Sequence, residues 1–236
     1  MKALVLMSGG VDSSTALGMA VDRYGRENVI ALSVSYGQKH DKEIQAAQAV
    51  TAHYGVEQMF LDLSRIFEYS NCSLLQQSTE DIPQSSYSKQ IDETGGQKPV
   101  STYVPFRNGL FLSCAASIAL SRECGVIFYG AHADDAAGAA YPDCSPVFNN
   151  AMNQAIWEGS GRQVKIEAPF VNKNKADIVR IGLELGVPYE LTWSCYEGKD
   201  EPCGKCGTCI DRAAAFAANG VKDPAIKMRR KGESKK

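Results

Sequence analysis

Two short segments of the chain carry residue types whose spacing can support chemistry. Residues 7–14 read MSGGVDSS, which places two glycines beside three hydroxyl groups and one carboxylate. Near the other end, Cys195, Cys203, Cys206 and Cys209 are separated by eight, three and three positions. The first segment can bind an anion through backbone N–H groups, and the second can bind a metal ion through four thiolates.

The flanking residues predict how the glycine segment is held. Residues 3–6 form an apolar run that is too short for a helix and is typical of a buried strand, whereas residues 15–21 favour a helix. In such a strand–turn–helix unit, glycines let a ligand approach the backbone, and the first N–H groups of the helix favour phosphate. The alternative is an ordinary connection with good helix caps. Neither G-x-x-x-x-G-K-[ST] nor G-x-G-x-x-G is present.

The four cysteines near the end of the chain predict a structural zinc site. Zinc takes four thiolates tetrahedrally, and this complete shell leaves no open position for catalysis. The short spacings, with glycines between the last three cysteines, are typical of a zinc knot. The alternative is an iron–sulfur cluster, which also takes four thiolates. Metal binding here would couple folding of the C-terminal region to the ion.

Composition and charge narrow the compartment and the partners. The 236 residues are 44% apolar with a formal charge of −2, which is ordinary for a globular protein. No apolar run approaches the ~18–20 residues that span a membrane, and no signal-peptide pattern is present. We therefore expect a cytoplasmic protein with reduced cysteines. Residues 222–236 carry seven Lys/Arg and two Asp/Glu, which is typical of a flexible tail, with RNA binding as the alternative.

The order of apolar runs and helical patterns predicts an α/β fold. We expect a doubly wound, mostly parallel sheet, followed by a small C-terminal helical, zinc-binding region. Strands are predicted over 28–34, 56–63, 125–130 and 164–166, and helices over 41–54, 108–124, 147–158 and 174–185. Ligands bind at the carboxyl ends of the strands in such sheets.

The predicted organisation has three parts. An α/β domain covers 1–190, a zinc-binding region covers 191–220, and a flexible basic tail covers 221–236. Within the first part, residues 73–103 are polar and irregular, and we expect them to form a lid or a binding loop. Residues 82–99 are expected to be mobile without ligand.

Six motifs, in this order and in a chain of this size, resemble one enzyme family. Residues 8–13 match the SGGxDS pyrophosphate loop of the N-type ATP pyrophosphatases, the PP-loop superfamily, whose fold is adenine nucleotide alpha hydrolase-like. The other motifs are SYGQKH at 35–40, VPFRN at 104–108, HADD at 132–135, YPDC at 141–144 and the cysteine cluster. Residues 2–219 are thereby similar to the 7-cyano-7-deazaguanine synthase (QueC) family.

The resemblance implies an activity and its cofactors. It implies an ATP-dependent ligase of queuosine biosynthesis that converts 7-carboxy-7-deazaguanine and ammonia to 7-cyano-7-deazaguanine (preQ0) through an adenylated acid and an amide. It also implies one structural Zn²⁺, Mg²⁺ with ATP, and a homodimer that requires neither nucleic acid nor membrane. The nucleotide-binding residues would be Met7, Ser8, Gly9, Gly10, Val11, Asp12, Ser13, Ser14, Thr15, Ala16 and Leu17. Of these, Asp12 is expected to contact metal or cap the helix, because it is anionic.

Residues at strand ends and helix starts are candidates for the second substrate. Tyr36 and Gln38 could stack on and hydrogen-bond a planar base, and Asp134 and Asp143 could accept N–H groups from its guanine-like edge. Helix capping and turn formation are the alternatives for the two carboxylates. His40 and His132 are possible proton carriers.

Three further residues belong to the predicted pocket. Arg107 could hold the acid carboxylate or a phosphate as a fork, and Lys175 could face phosphate, although either could instead lie on the surface. Asn108 is expected to cap the helix that follows it. Two other functions stay open: a tRNA-thiolating or amidating enzyme of the same superfamily, and a zinc-dependent nucleic-acid-binding module.

Overall fold

Five parallel strands in the order β3-β2-β1-β4-β5 form the centre of the protein. The computed structural model describes residues 1–39, 41–93, 95–96, 98–197 and 200–226. Since β1 pairs with β2 on one side and β4 on the other, the sheet grows outward in both directions from the first strand. The strands are β1 (Lys2–Leu6), β2 (Val29–Ser35), β3 (Glu57–Asp62), β4 (Cys124–Phe128) and β5 (Lys165–Glu167).

Helices cover both faces of the sheet. They are α1 (Val11–Tyr24), α2 (Lys42–Tyr54), α3 (Tyr87–Glu93), α4 (Arg107–Ser121), α5 (Ala133–Ala136), α6 (Pro146–Gly159), α7 (Lys175–Glu184) and α8 (Gly207–Ala218). Within the described residues, none of these helices has the length and apolar composition needed to cross a membrane.

Alternating side chains of the strands feed two hydrophobic cores. Val5 and Phe128 belong to the core shared with α1, α2, α7 and α8. Leu4 and Ile127 belong to the core shared with α4 and α6. Because successive side chains of a strand point to opposite faces, a sheet covered on both sides needs apolar residues at nearly every position. This requirement explains the uninterrupted apolar runs of β1 and β4 and confirms the doubly wound α/β fold.

The predicted ends of α4 are wrong, and so is the prediction that Asn108 caps it. The N-cap is Phe106, which has a left-handed backbone with φ +54°, and Asn108 is the second residue of the helix. The helix stops at Ser121 rather than at Cys124. Glu123 also has positive φ, +57°, which reverses the chain so that Cys124 begins β4. Backbone conformations of this kind are uncommon outside glycine and have no sequence signature at these two positions.

Residues 73–103 are largely irregular, as predicted, but they contain α3 and several anchors. Leu75 is fully buried with Tyr36 and Val104 in a small third core. The Tyr87 hydroxyl lies 2.6 Å from the Tyr196 hydroxyl, which links α3 to the region of the cysteines. Residues 94 and 97 lie outside the described residues. The mobility of residues 82–99 and their role as a lid stay predictions.

A buried ion pair holds α8 against the rest of the protein. Arg212 Nε lies 2.6 Å from Asp223 Oδ2, and both side chains are about 95% buried, with exposures of 6% and 5%. The same guanidinium donates to Thr192 Oγ1 at 2.8 Å and to the Tyr189 carbonyl at 3.2 Å. These hydrogen bonds satisfy guanidinium protons that do not contact Asp223, which lowers the free-energy cost of burying the pair. The remainder of the predicted basic tail, residues 227–236, lies outside the described residues.

Candidate active site

A cavity of about 630 Å³ opens at the carboxyl end of the sheet. β1 and β4 are neighbours there, but the helices that follow them pack on opposite faces: α1 on one and α6 on the other. Such a switch point leaves a crevice between the two connections, which is where ligands bind in open α/β sheets.

The glycine loop, residues 7–13, forms one wall of this cavity. Ser8 Oγ lies 3.0 Å from Ser13 Oγ, and the Gly10 N–H donates to Ser8 Oγ at 3.3 Å. These bonds close the loop on itself. Gly10 is the N-cap of α1, and among the described residues no side chain caps that helix. The N–H groups of the first turn therefore remain for a ligand.

Two glycines are required by close approach to the loop. Gly9 has φ +89°, and a Cβ there would collide with the Glu43 carbonyl oxygen and lie 2.6 Å from the Ala47 nitrogen. Gly130, after β4, leaves room for Asp12, whose Cβ would be 3.0 Å from a Cβ added at Gly130. The loop is thus held between α2 and the end of β4.

The other predicted nucleotide-binding residues lie behind the loop. Ser14, Thr15, Ala16 and Leu17 are completely buried, and Thr15 Oγ1 lies 2.7 Å from the Tyr189 hydroxyl. These four residues form part of the buried face of α1 and anchor that helix in the core. The residues of the predicted set that line the cavity are Met7, Ser8, Gly10, Val11, Asp12 and Ser13.

Asp12 and Lys175 form an ion pair in the cavity wall. Lys175 Nζ donates to Asp12 Oδ2, and His132 Nε2 lies 3.8 Å from the same oxygen. Burial alone would raise the pKa of Asp12, but Lys175 and His132 outweigh it and hold that pKa below its ordinary value. Asp12 therefore stays ionised, and it does not cap α1.

Two buried atoms beside this pair have no partner among the described residues. Asp12 Oδ1 and His132 Nδ1 are both buried without a hydrogen bond. His132 Nε2 also lies 3.3 Å from Asp135 Oδ2. Buried polar atoms are ordinarily satisfied, so an unpartnered carboxylate oxygen on a residue that lines the cavity is a candidate position for a ligand. A carboxylate oxygen is the ligand that Mg²⁺ prefers.

Asp134 stabilises the start of a helix and also lines the cavity. Its Oδ2 accepts the backbone N–H of Lys175 at 2.7 Å, so that it stabilises the start of α7. It also lines the cavity. Asn174 completes this helix start with a capping box that includes Asp177. The carboxylate thereby fixes the position of Lys175, whose side chain reaches Asp12.

The opposite wall holds Tyr36 and Arg107. The Arg107 guanidinium lies over the Tyr36 ring at 5.1 Å and donates to its hydroxyl at 3.4 Å. Tyr36 also packs on Phe111 and Phe67. The Gln38 side-chain oxygen accepts the Tyr36 N–H at 2.9 Å, and both residues line the cavity. His40 lies outside the described residues.

Asn108, Asp143 and Cys144 form a buried cluster at the start of α4. Asp143 Oδ2 accepts the Asn108 N–H at 2.9 Å, and Asn108 Nδ2 donates to the Cys144 sulfur at 3.2 Å. Burial raises the pKa of Asp143 and holds the pKa of the Cys144 thiol well above its usual range. Asn108 and Cys144 line the cavity, whereas Asp143 does not. A thiol that stays protonated is a poor nucleophile.

Glu43 is a cavity residue that sequence reasoning missed. It lies in the first turn of α2, lines the cavity, and interacts electrostatically with Arg107. Burial raises its pKa to about 7, against the lowering effect of Arg107. Its position shortly after the motif at 35–40 was an available signal, because the first turn of a helix after a strand end faces the same edge of the sheet.

The four cysteines form one cluster. Their sulfur atoms all lie within 4.8 Å of one another. The N–H groups of Lys205 and Cys206 each donate to the Cys203 sulfur at 3.4 Å, and the Cys203 N–H donates to the Cys195 sulfur at 3.3 Å. Such N–H donors stabilise thiolates, so that the arrangement can bind a metal ion such as zinc.

The cysteine cluster is continuous with the cavity wall. The Trp193 N–H donates to the Gly9 carbonyl at 2.9 Å, which connects this region directly to the glycine loop. Thr208 donates to the Ser194 carbonyl at 2.6 Å. Further wall residues absent from the predicted pocket are Ser194, Tyr196, Thr208 and Asp211. Only tertiary packing brings them there, and the sequence between residues 193 and 211 carries no sign of it.

Comparison with known proteins identifies relatives over nearly the whole chain. The family model described as "Queuosine biosynthesis protein QueC" matches residues 2–220. A 7-cyano-7-deazaguanine synthase of Archaeoglobus fulgidus is 44% identical over 227 residues, 96% of this chain and 90% of the relative. Proteins of the same name are 43% identical in Caldicellulosiruptor saccharolyticus (95% and 94% covered) and 40% identical in Psychromonas ingrahamii (94% and 96% covered).

Proposed function

The chain belongs to the QueC family of queuosine biosynthesis proteins, and we propose that it is an ATP-dependent ligase that makes 7-cyano-7-deazaguanine. Its substrates would be 7-carboxy-7-deazaguanine, ammonia and ATP. The acid would pass through an acyl-adenylate to an amide, and a second ATP would activate the amide for loss of its oxygen.

One observation carries this proposal: the glycine loop and Arg107 line the same cavity. A carboxylate is a poor acceptor for ammonia until its oxygen becomes part of a good leaving group. Adenylation requires the carboxylate to lie beside the α-phosphate of ATP. A cavity with an anion site on one wall and a guanidinium on the other can position both reactants, and positioning supplies much of the rate.

The residues of the glycine loop would bind the departing pyrophosphate. The hydroxyls of Ser8 and Ser13 and the N–H groups at the start of α1 can donate hydrogen bonds where negative charge develops. Lys175, held by Asp12 and Asp134, would add a positive charge on the same side. Magnesium with ATP would be held by Asp12, whose Oδ1 has no partner among the described residues, and would neutralise phosphate charge.

The opposite wall would bind the acid. Arg107 can grip a carboxylate as a fork because Tyr36 supports its guanidinium. The carboxylates that line the cavity and could accept N–H groups from the guanine-like edge are Asp134, Asp135 and Asp211. Asp143 and Asn108 would position the start of α4, and thereby Arg107, rather than contact the base.

We further propose that the cysteine cluster holds one structural zinc ion. All four sulfur atoms are within reach of a tetrahedral centre, in which neighbouring sulfurs lie about 3.8 Å apart. Cys206→Ser should lower zinc content and the unfolding temperature together. Cys114→Ser, which removes a partly buried thiol outside the cluster, should change neither. A zinc-free, folded and fully active Cys206→Ser protein would contradict the proposal.

The decisive experiment is an assay of product formation. The protein is incubated with Mg·ATP, ammonium and 7-carboxy-7-deazaguanine, and AMP, amide and nitrile are measured. We expect acid-dependent AMP and nitrile without any nucleic acid. AMP that forms only when tRNA is added would favour a tRNA-modifying enzyme instead. A homodimer and a cytoplasmic location stay part of the proposal, and light scattering of the purified protein tests the first.

A further inference from the structure

Glu43 lines the cavity but has no part in the proposed binding of phosphate or of the carboxylic acid. It lines the cavity beside the glycine loop and the Tyr36–Arg107 pair. The turn that carries it packs directly on the loop, because its carbonyl oxygen occupies the space that a Cβ at Gly9 would need. Glu43 is therefore held between the proposed phosphate site and the proposed carboxylate site, where the acyl group would react.

The Glu43 carboxyl is available to exchange a proton. In the described part of the chain, no hydrogen bond or ion pair engages it. The groups that face it are Arg107 from α4 and Tyr36 from the end of β2. Lys42, the preceding residue on its own helix, lies over the Trp193 ring at 5.8 Å instead. The pKa of Glu43, about 7, makes its carboxylate a stronger base than an ordinary carboxylate.

We propose that Glu43 accepts the proton of ammonium in the amide-forming step. This inference rests on the proposed function. At neutral pH ammonium predominates, but only ammonia has the electron pair that can attack the acyl-adenylate. A group that removes one proton inside the cavity delivers the nucleophile at the place where it reacts.

The transfer conserves atoms, electrons and charge. Ammonium gives one proton to the Glu43 carboxylate, and ammonia forms a C–N bond to the acyl carbon. The C–O bond to the phosphate breaks, and its electron pair leaves with AMP. The surplus proton on nitrogen passes to the departing AMP phosphate. The products are a neutral amide, protonated Glu43 and AMP with one added proton.

The test separates ammonium from a nucleophile that needs no deprotonation. Hydroxylamine is largely unprotonated at neutral pH and traps acyl-adenylates as hydroxamates. In Glu43→Gln, we expect amide formation at pH 7 to fall roughly 10²-fold, while acid-dependent hydroxamate formation stays within about threefold. Raising the pH should restore the amide because it raises free ammonia. Glu43→Asp should keep part of the activity at pH 7.

Asp41→Asn is the matched control. It removes a carboxylate from the start of the same helix, is exposed, and makes no side-chain capping bond. It should behave as wild type with both nucleophiles. Equal loss of amide and hydroxamate in Glu43→Gln, or unchanged amide formation at pH 7, would overturn the assignment. Absence of acid-dependent AMP in the wild type would instead contradict the proposed ligase activity.

Discussion

Two carboxyl groups that line the cavity, those of Asp12 and Glu43, lie in opposite electrostatic environments. On the wall of the glycine loop, Asp12 pairs with Lys175, and the pair holds the pKa of Asp12 below its ordinary value. Between the loop and the Tyr36–Arg107 pair, Glu43 interacts with Arg107 without an ion pair within 4.0 Å among the described residues, and burial raises its pKa to about 7. One carboxylate is therefore kept charged, and the other can gain and lose a proton near neutrality.

Because the two carboxyl groups differ in charge state, one cavity can serve two tasks. A permanently ionised group beside a cation suits phosphate and metal binding, where charge must stay constant. A carboxyl with a raised pKa suits proton transfer. Environments that push the pKa values of two acids apart are a general way to divide such roles.

The largest effect is expected at the charged wall. Asp12→Asn removes the negative charge that pairs with Lys175 and that is proposed to bind magnesium. We expect acid-dependent AMP formation to fall by at least about 10²-fold, with little change in circular dichroism. Asp22→Asn, an exposed carboxylate at the far end of the same helix, is the control. Normal AMP formation by Asp12→Asn would mean that the glycine loop is only a structural connection between β1 and α1.

Two glycine variants separate folding from ligand approach within the same loop. Gly9→Ala places a Cβ against α2 at a left-handed φ, so we expect it to lower the free energy of unfolding by about 1–3 kcal/mol. At Gly10, φ is −80° and a Cβ would meet only ordinary contacts, the nearest at 3.5 Å. Gly10→Ala should keep the melting temperature and lose AMP formation. A stable Gly9→Ala protein, or a Gly10→Ala protein that unfolds early and still forms AMP, would contradict these assignments.

On the opposite wall, the geometry of Arg107 is expected to matter more than its charge. Arg107→Lys keeps a positive charge but loses the planar fork and the stacking on Tyr36. The KM for the acid should rise about 10- to 100-fold, while the KM for ATP stays nearly constant. Steady-state kinetics with each substrate varied in turn measures this. Equal increases in both KM values would place Arg107 at the phosphate site.

The smallest expected effect is on stability and depends on pH. Folding favours the protonated form of Glu43, because its pKa rises from 4.5 to about 7. The destabilisation of the folded protein by the ionised Glu43 carboxylate is absent below about pH 4.5, grows as the pH rises to about 7, and is complete above that pH. A pKa difference of about 2.5 corresponds to at most about 3 kcal/mol, and screening of the partly exposed side chain reduces this to about 1 kcal/mol. Glu43→Gln should therefore raise the melting temperature at pH 8 by about 2–4 °C, the change that about 1 kcal/mol produces at this chain length. No difference between pH 4.5 and pH 8 would contradict the raised pKa.

Local patterns predicted a large part of this protein. The strand–loop–helix of residues 3–21, the cysteine spacing and the order of strands and helices all follow from neighbouring residues. Backbone conformation and hydrogen bonding at such motifs are set within a few positions, and hydrophobic periodicity reports which face is buried. The α/β class and the QueC family were accordingly accessible from the sequence alone.

Which polar side chains share the cavity depends on packing between segments that are far apart in the chain. Asp143 accepts the N–H of Asn108 and does not line the cavity, whereas Glu43 and Ser194 line it from the first turn of α2 and from the segment before the cysteine cluster. Side-chain direction depends on the left-handed residue at Phe106 and on the packing of α2 against Gly9. These contacts join segments far apart in the chain, and the pKa of Glu43 follows from the burial that they create.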